Sequence, residues 1–142
     1  MKVKIKKLYP ETKLPNYAHL GDVGMDLYSC EETYTLEPGE RKHFMVGFAL
    51  EFPVGYAAIV KDKSSLPKEY GIHVLGGVYD AGFRGEYNVC LINLGSEAAV
   101  IERGRKIAQL LIVPVAIVEL EETQELSETS RGEGKFGSTG KF

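Results

Sequence analysis

The sequence has no long apolar run. A membrane-spanning helix needs about 18 or more consecutive apolar residues, and the 142 residues contain no such stretch, so we expect no membrane partner. Met1 leads directly into lysines that alternate with valine and isoleucine, which does not resemble the apolar core of a signal peptide. The net charge of -3 gives no basic surface for general nucleic-acid binding, so nucleic acid is not an expected partner.

Cysteine and histidine are scarce and scattered. Cys30 and Cys90 stand in apolar, strand-like stretches without the spacing of metal ligands. We therefore expect two buried free thiols in a reducing cytoplasm rather than a disulfide. His19, His43 and His73 occur singly, so no zinc site is predicted.

Several common catalytic motifs are also missing. The chain has no phosphate-binding P-loop, no G-x-G-x-x-G before a helix and no G-x-S-x-G nucleophile turn. Nucleotide binding through a P-loop or a Rossmann fold is therefore not expected, and neither is an α/β-hydrolase.

The residues that are present favour one mostly-β domain. Hydrophobic residues make up 44% of the chain and charged residues 26%, which is enough apolar material for a single core. Short segments rich in β-branched residues are separated by glycine and proline turns at a spacing typical of a sandwich or barrel. Only residues 64–71, SSLPKEYG, predict a helical turn, with Ser64 and Ser65 as N-cap candidates and Gly71 as its end.

The chain becomes polar near its end. We predict a β-domain over residues 1–120, followed by an exposed linker and a glycine-rich arm over residues 121–142. The arm contains RGEGKFGSTG, residues 131–140. By composition this segment is a mobile tail, but an arginine, a lysine and a phenylalanine among its glycines leave open that it is part of a site.

Two polar segments in the first half interrupt the β-pattern. In GDVGMDLYS, residues 21–29, Asp26 is either a turn aspartate before a strand or part of a site. Residues 61–71, KDKSSLPKEYG, combine three lysines with two serines at a possible helix start. This segment is either an anion-binding patch or a solvated lysine loop.

Two further polar segments follow. In GGVYDAGFRGEYNV, residues 76–89, Asp80 lies among glycines that would let a flat ligand approach the backbone, although a plain hairpin explains the pattern as well. An aspartate at that place is a candidate general base. In ERGRKIAQLL, residues 102–111, Gln109 is the one amide in an apolar strand, so it is a structural hydrogen-bonding residue or a ligand contact.

Taken in order, these segments resemble the five motifs of the trimeric deoxyuridine triphosphatase (dUTPase) family. The motifs stand here as DVGMDLYS, KDKSSLPKEYGI, GGVYDAGFRGEYNVCLIN, RGRKIAQLL and RGEGKFGSTG, spanning residues 21–140. The resemblance implies an all-β, distorted jelly-roll barrel with one short helical turn and a flexible C-terminal arm. It also implies a homotrimer with its sites at subunit interfaces, hydrolysing dUTP to dUMP and pyrophosphate with Mg²⁺. The dUMP would feed thymidylate synthesis, and uracil would be kept out of DNA.

The resemblance also implies a role for each matching residue. Asp80 would activate the attacking water, and Asp26 would contact the metal through water. The stretch 74–78 would read uracil through its backbone, Phe83 would stack on the deoxyribose, and the arm would cover the base and bind phosphates. The implied substrate-binding residues are Lys63, Ser64, Ser65, Val74, Gly77, Val78, Tyr79, Phe83, Gln109, Arg131, Phe136, Gly137, Ser138 and Thr139.

Four residues depart from the family pattern. Lys63 stands for arginine, Phe83 for tyrosine, Tyr79 for isoleucine and Lys135 for glycine. Lysine keeps the charge of arginine and loses its two-pronged geometry. None of the four removes a group that the chemistry requires, so we expect an active enzyme.

Two alternatives remain beside the hydrolase. The dCTP deaminases share the fold and the motif order, but their deamination depends on a glutamate where this chain has Cys90, and a thiol does not replace that carboxylate. A binding or regulatory protein that uses the same fold to sense a nucleotide is the second alternative, and fold alone does not exclude it.

Overall fold

A computed structural model of the chain describes residues 1–136 and 138–140. It is nearly all-β with one short helix, as the sequence predicts. The described residues form, in order, β1 (Lys4–Lys7), β2 (Met25–Tyr28), β3 (Tyr34–Leu36), β4 (Arg41–Met45), β5 (Phe48–Glu51), β6 (Tyr56–Asp62), α1 (Ser65–Tyr70), β7 (Ile72–Leu75), β8 (Val78–Asp80), β9 (Asn88–Asn93), β10 (Ala99–Ile101) and β11 (Lys106–Pro114). No helix in this described part of the chain is long and apolar enough to cross a membrane.

The strands form four small antiparallel sheets. The largest has the order β2-β11-β6-β8, a second has the order β4-β9-β7, and two pairs join β1 to β5 and β3 to β10. Most neighbours are distant in sequence, which is the pattern of a fold whose strands cross between sheets. Their apolar faces enclose one core that includes Leu27, Phe44, Phe48 and Leu110.

The predicted helical turn is confirmed. Helix α1 begins after Ser64 and ends at Gly71, whose φ of 70° is a left-handed value that favours glycine. The Ser64 hydroxyl makes no capping hydrogen bond, so it stays free for another partner. Leu66 is the buried residue that holds the helix on the core.

The glycine pair Gly76–Gly77 does not close a hairpin. Strand β7 pairs with β9, whereas β8 pairs with β6, so the two strands diverge into different sheets. Both glycines have positive φ. The backbone N–H of Val60 donates to the carbonyl oxygen of Gly77 at 2.7 Å. The two residues are so close that a Cβ on Gly77 would lie 2.9 Å from the carbonyl oxygen of Val60. This contact pulls the chain towards β6 and away from β7. The plain hairpin, one of the two alternatives for residues 76–89, is therefore wrong, and a fork opens between β7 and β8.

The last predicted strand ends earlier than its pattern suggests. The stretch RKIAQLLIVPVAIVEL, residues 105–120, is rich in β-branched residues and favours strand throughout, but β11 stops at Pro114. Residues 115–120 are exposed and have no strand partner among the described residues. Proline at the strand end removes a backbone donor. The N–H of Val115 still reaches the carbonyl oxygen of Gly55 at 2.9 Å, and the chain then leaves the sheet.

An aromatic cluster fills the core beside the fork. The rings of Tyr79 and Tyr87 stack with centroids 4.1 Å apart, and Phe48 and Phe83 pack on Tyr87 at 5.5 Å and 5.7 Å. The side chain of Tyr87 is fully buried, and its hydroxyl has no hydrogen-bond partner among the described residues. Burial raises the pKa of Tyr87 to about 12.

Replacing Tyr87 by phenylalanine is expected to stabilise the fold. The change removes an unpaired buried hydroxyl and keeps the stacked ring, a gain of about 1 kcal/mol. The raised pKa means that the wild-type protein also loses stability as pH rises from about 10, where an unfolded tyrosine ionises, towards about 12. Tyr87→Phe should therefore gain a further advantage in this window. Guanidinium unfolding at about pH 8 and about pH 11 measures both effects.

The exposed Tyr17→Phe provides the matched control, because the side chain of Tyr17 is 53% exposed and should change little at either pH. A lower unfolding midpoint for Tyr87→Phe at the lower pH would contradict the account.

Candidate active site

Three of the residues singled out by sequence line one cavity. Asp26 on β2 lies opposite Gln109 on β11, and Gln109 lies opposite Lys61 on β6, two residues before Lys63. The cavity between them, of about 430 Å³, is called here the Asp26 cavity. Asp22 and Lys106 also line it.

Two lysines hold the Asp26 carboxylate. Lys63 Nζ donates to Oδ1 at 2.6 Å, and Lys106 Nζ lies 2.6 Å from Oδ2. Only 4% of the Asp26 side chain is exposed, whereas Lys63 and Lys106 are 31% and 43% exposed, so the cations form the outer rim. Burial acts to raise the pKa of Asp26, but the two lysines lower it more, and the resulting pKa lies below the usual value.

The amide of Gln109 is held from two sides. Its Nε2 donates to the backbone oxygen of Asp62 at 2.8 Å. A Cβ placed on Gly24 would come within 2.2 Å of the Gln109 Oε1, so the absence of a side chain at residue 24 makes room for the amide. The Gln109 oxygen therefore lies at the cavity wall beside Gly24.

The serines of the second polar segment lie at the start of α1. Ser64 and Ser65 are both exposed, and they directly follow Lys63. Lys63 lines the Asp26 cavity, whereas Ser64 and Ser65 are not among its lining residues and stand beside it only through their place in the chain. This arrangement is compatible with an anion ligand and leaves the anion-binding role a prediction.

The fork between β7 and β8 encloses a second cavity. Its volume is about 260 Å³, and we name it the fork cavity. The predicted base-reading residues Val74, Gly77, Val78 and Tyr79 all line it, together with residues of β9 and β4. This volume exceeds that of several water molecules and has room for one flat six-membered ring.

Asp80 ends β8 just beyond the fork cavity. The carboxylate is exposed, and its backbone oxygen accepts from the Phe83 N–H at 3.1 Å to close a tight turn. Arg84 staples this turn, since Nη1 donates to the backbone oxygens of Ala81 at 2.6 Å and Phe83 at 2.9 Å. The Phe83 ring is 38% exposed and lies over Gly85, where a Cβ would meet it at 2.6 Å. An exposed carboxylate and an exposed ring face thus share one rigid turn.

The arm is exposed along its whole described length. Its hydrogen bonds beyond residue 115 are local among the described residues, for example from Arg131 Nε to the Gly134 oxygen at 3.1 Å. Phe136 is fully exposed, and Ser138 and Thr139 line a shallow surface with Arg131. Gly137, also predicted to bind substrate, lies outside the described residues.

One chain keeps these three groups apart. From Gln109 to Asp80 the sheet runs two strands across and four residues along β6, which separates the backbones by roughly 16 Å. The Asp26 cavity and the fork cavity share no lining residue, and none of the described arm residues lines either of them. A single copy of the chain therefore does not assemble the predicted site.

Three residues near the site were missed by sequence reasoning. The sequence assigns no role to Lys106, yet it pairs with Asp26, which raises the pKa of Lys106. Asp62 looked like part of a lysine loop, yet its carboxylate accepts the N–H of Val74 at 2.7 Å and so ties β6 to the fork. The sequence assigns no role to Arg84 either, yet its guanidinium group bonds the backbone of the turn that follows Asp80. Only the tertiary contacts reveal these three roles.

Replacing Asp26 by asparagine should change the acid sensitivity of the fold. Because the folded pKa is lowered, the ionised carboxylate stabilises the protein above its ordinary pKa of about 3.9, and this contribution is lost as the pH falls through the lower folded value. Asp26→Asn should therefore be less stable than wild type at about pH 7, and the difference should be smaller at about pH 3. Urea unfolding at the two pH values measures this, with the exposed Glu69→Gln as control. A difference of the same size at both would contradict the assigned ion pairs.

The described residues do not form a metal cage by themselves. No group of three or more His, Cys, Asp or Glu side chains in residues 1–136 and 138–140 could hold a metal ion. Asp26 Oδ2, however, accepts no well-aligned hydrogen bond despite its close contact with Lys106. The donor chemistry fits a Mg²⁺ that arrives on the oxygens of a phosphorylated ligand and meets Asp26 through water.

Comparison with known proteins identifies the family. The family model described as dUTPase matches residues 10–140, almost the whole chain. The chain belongs to the dUTPase family. A deoxyuridine 5'-triphosphate nucleotidohydrolase of Clostridium novyi is 46% identical over 142 residues, covering 99% of both chains, and one of Hydrogenobaculum sp. is 44% identical with the same coverage. The chain is accordingly a hydrolase that acts on dUTP.

Solved structures agree in fold. The structure of the Staphylococcus bacteriophage 80alpha dUTPase with dUpNHpp superposes with a TM-score of 0.88 at 28% identity, covering 98% of each chain. A mutant dUTPase from phage phi11 of S. aureus, solved with a structural Mg(II) ion, gives 0.83 at 23% identity, covering 90% of this chain and 100% of that one, and supports the fold alone. The predicted jelly-roll fold is confirmed by this likeness.

Proposed function

We propose that this dUTPase cleaves dUTP between the α- and β-phosphates, with Asp80 as the general base. The exposed carboxylate of Asp80 takes a proton from water while the water oxygen attacks the α-phosphorus. The bond to the bridging oxygen breaks, dUMP keeps the new oxygen, and pyrophosphate leaves. The observation that carries the proposal is the placement of Asp80 on the stapled turn between the fork cavity and the exposed ring of Phe83.

We assign the base and the sugar of the substrate to the fork and its turn. Uracil would enter the fork cavity and contact the backbone of Val74, Gly77 and Val78, because strand divergence leaves room there for a flat ring. Phe83 would cover the deoxyribose with its exposed face. The sugar would then lead the α-phosphate towards Asp80.

The triphosphate would occupy the Asp26 cavity of another copy. Lys63 and Lys106 now neutralise Asp26, and a triphosphate with several negative charges would compete with that single carboxylate for both cations. Gln109, Ser64 and Ser65 would add neutral hydrogen bonds to phosphate oxygens. Cations placed where charge develops at phosphorus stabilise the transition state.

We infer that the working enzyme is a homotrimer with composite sites. The separation of Asp80 from Gln109 within one chain supports this, since the base and the phosphate contacts must meet on one substrate. In a closed ring of identical copies, the fork of one chain would face the Asp26 cavity of the next.

Magnesium would accompany the substrate. Asp26 would hold it through water, and the ion when bound offsets triphosphate charge and orients the phosphates. Lys63 and Lys106 would share that charge, and both would have to turn from Asp26 towards the phosphates. This exchange frees the Asp26 carboxylate for the water shell of the ion.

The arm of residues 121–142 would complete the site as a lid on the domain of residues 1–120. Arg131 would bind the terminal phosphate, Phe136 would cover uracil, and Ser138, Thr139 and Gly137 would meet phosphate oxygens. In the described part of the arm, the local hydrogen bonds and the full exposure of Phe136 support such a movement. Because water is excluded when a lid closes, the reacting water alone would stay in place.

The test is product analysis with both dUTP and dCTP. Purified protein with Mg²⁺ should release pyrophosphate from dUTP and no ammonia from dCTP. Cys90, where the deaminases have a glutamate, lines the fork cavity, and no carboxylate joins it among the described lining residues. Ammonia from dCTP would instead indicate the sister deaminase activity, and binding of dUTP without turnover would indicate a nucleotide sensor. In a cell, the hydrolase would supply dUMP for thymidylate synthesis and keep uracil out of DNA.

A further inference from the structure

The fork cavity is lined by the polar side chains of Asn88 and His43. Asn88 begins β9 and lines the cavity together with Cys90 and His43. In β9, Asn88, Cys90 and Ile92 share the half-buried face, while Val89 and Leu91 point into the core. The Asn88 carboxamide therefore lies on the face that borders the cavity.

Three hydrogen bonds fix Asn88 in place. The hydroxyl of Tyr79 donates to the backbone oxygen of Asn88 at 2.7 Å and accepts from its N–H at 3.1 Å. His43 Nδ1 lies 2.8 Å from Asn88 Oδ1. A carboxamide oxygen has only lone pairs to offer, so His43 carries the hydrogen of this bond. The backbone of Asn88 is thus held by Tyr79, and its side-chain oxygen is held by His43.

The amide nitrogen of Asn88 is the group left over. Nδ2 has two hydrogens to donate, and it has no hydrogen-bond partner in the part of the chain that the structure describes. With the hydrogen on His43 Nδ1, Oδ1 accepts this bond and Nδ2 is left over. The other His43 tautomer would accept from Nδ2 instead, so the tautomer of His43 selects which end of the carboxamide faces the cavity. With Nδ1 protonated, the cavity wall presents a donor and withholds an acceptor.

We propose that Asn88 is a specificity-determining residue that distinguishes uracil from cytosine. The proposal rests on the assignment of the base to the fork cavity. Uracil carries a carbonyl oxygen at the ring position where cytosine carries an amino group. A fixed donor pairs with the oxygen and faces the hydrogens of the amino group without a bond. His43 acts as a positioning residue, because it determines which end of the carboxamide meets the base.

The inference accounts for the tyrosine at residue 79. Its ring packs on Tyr87 while its hydroxyl reaches the backbone of Asn88, so Tyr79 joins the strand that carries Asp80 to the strand that carries Asn88. An isoleucine, usual in the family at this position, cannot make those bonds. The chain therefore has both the polar side chain that would contact the base, Asn88, and the side chain that holds its backbone, Tyr79.

Asn88→Asp tests the proposal, because it replaces the donating NH₂ by an oxygen of nearly the same size. The backbone bonds from Tyr79 and the contact with His43 are kept, so the fold should persist. We expect kcat/KM for dUTP to fall by at least about tenfold. We also expect dCTP to inhibit dUTP hydrolysis more strongly. The preference for uracil over cytosine should then fall by the product of the two effects, the weaker use of dUTP and the tighter binding of dCTP. The exposed turn variant Ser96→Asp adds the same charge outside the cavity and should behave as wild type.

Two further variants separate reading from folding. Asn88→Ala should raise KM for dUTP more than it lowers kcat and should weaken discrimination without favouring dCTP. His43→Phe should resemble Asn88→Ala in discrimination, because the carboxamide is then free to rotate. An equal change for dUTP and dCTP in Asn88→Asp would overturn the specificity role while leaving the hydrolase intact. A wild-type protein that does not hydrolyse dUTP would overturn the proposed function and this inference together.

Discussion

Asp80→Asn should hydrolyse dUTP at least about a hundredfold more slowly than wild type, with KM little changed. Asparagine keeps the size of aspartate and its place on the turn, where the contacts to Phe83 and Arg84 run through backbone atoms. What is lost is the group that accepts the proton of the attacking water. The effect should therefore fall on kcat, which single-turnover measurement of pyrophosphate release determines.

A surface carboxylate provides the matched control for this prediction. Glu69→Gln on α1 removes the same charge from an exposed site outside both cavities and should keep full activity. Equal kcat in Asp80→Asn and wild type would refute Asp80 as the base. A raised KM with unchanged kcat would instead assign it to substrate binding.

Removal of residues 131–142 should lower kcat/KM for dUTP by roughly a hundredfold and leave the melting temperature unchanged. Stacking of an aromatic ring on a base contributes about 1–3 kcal/mol, and the arginine and the hydroxyls add phosphate contacts. Stability should not change, because the described part of the arm is exposed and makes only local hydrogen bonds. Steady-state kinetics together with thermal unfolding measures both quantities.

Single substitutions divide the effect of the arm. Phe136→Ala should mainly weaken base binding, and Arg131→Ala should mainly weaken binding of the terminal phosphate. Because dUMP has the base but lacks that phosphate, its affinity should fall in Phe136→Ala and stay unchanged in Arg131→Ala. Lys135→Gly restores the family pattern and should leave activity unchanged if its side chain faces only water. Full activity of the truncated protein would contradict the lid.

Much of the fold follows from local sequence patterns. Turn residues and β-branched segments predicted the strands, and Ser64 and Gly71 predicted both ends of α1. The pattern was misleading where a tertiary contact decides the path of the chain. Gly76 and Gly77 look like a hairpin turn, but the bond between Val60 and Gly77 directs β8 into another sheet. The apolar run after Pro114 predicts a strand, yet no neighbour in the described chain pairs with it.

The candidate site divides in the same way. Motif order pointed to Asp26, Lys63, Gln109 and Asp80, of which Asp26 and Gln109 are polar residues between apolar neighbours. Sequence could not show that Lys106 would pair with Asp26, since the two lie on strands far apart along the chain. Nor could it show that the Tyr79 hydroxyl would bond the backbone of Asn88, since β8 and β9 are neighbours in sequence but pair in different sheets. Nor could it show that one chain holds the base and the phosphate contacts in separate places.

Complementation between inactive variants tests the composite site most directly. One protein carries Asp80→Asn and the other carries Lys63→Ala with Gln109→Ala, and the two are unfolded, mixed in equal amounts and refolded. A site that takes Asp80 from one copy and the phosphate contacts from another is intact in about one quarter of random pairings. We predict recovery of about that share of wild-type dUTP hydrolysis from two nearly inactive parents. A mixture that is no more active than its parents would contradict a site shared between chains.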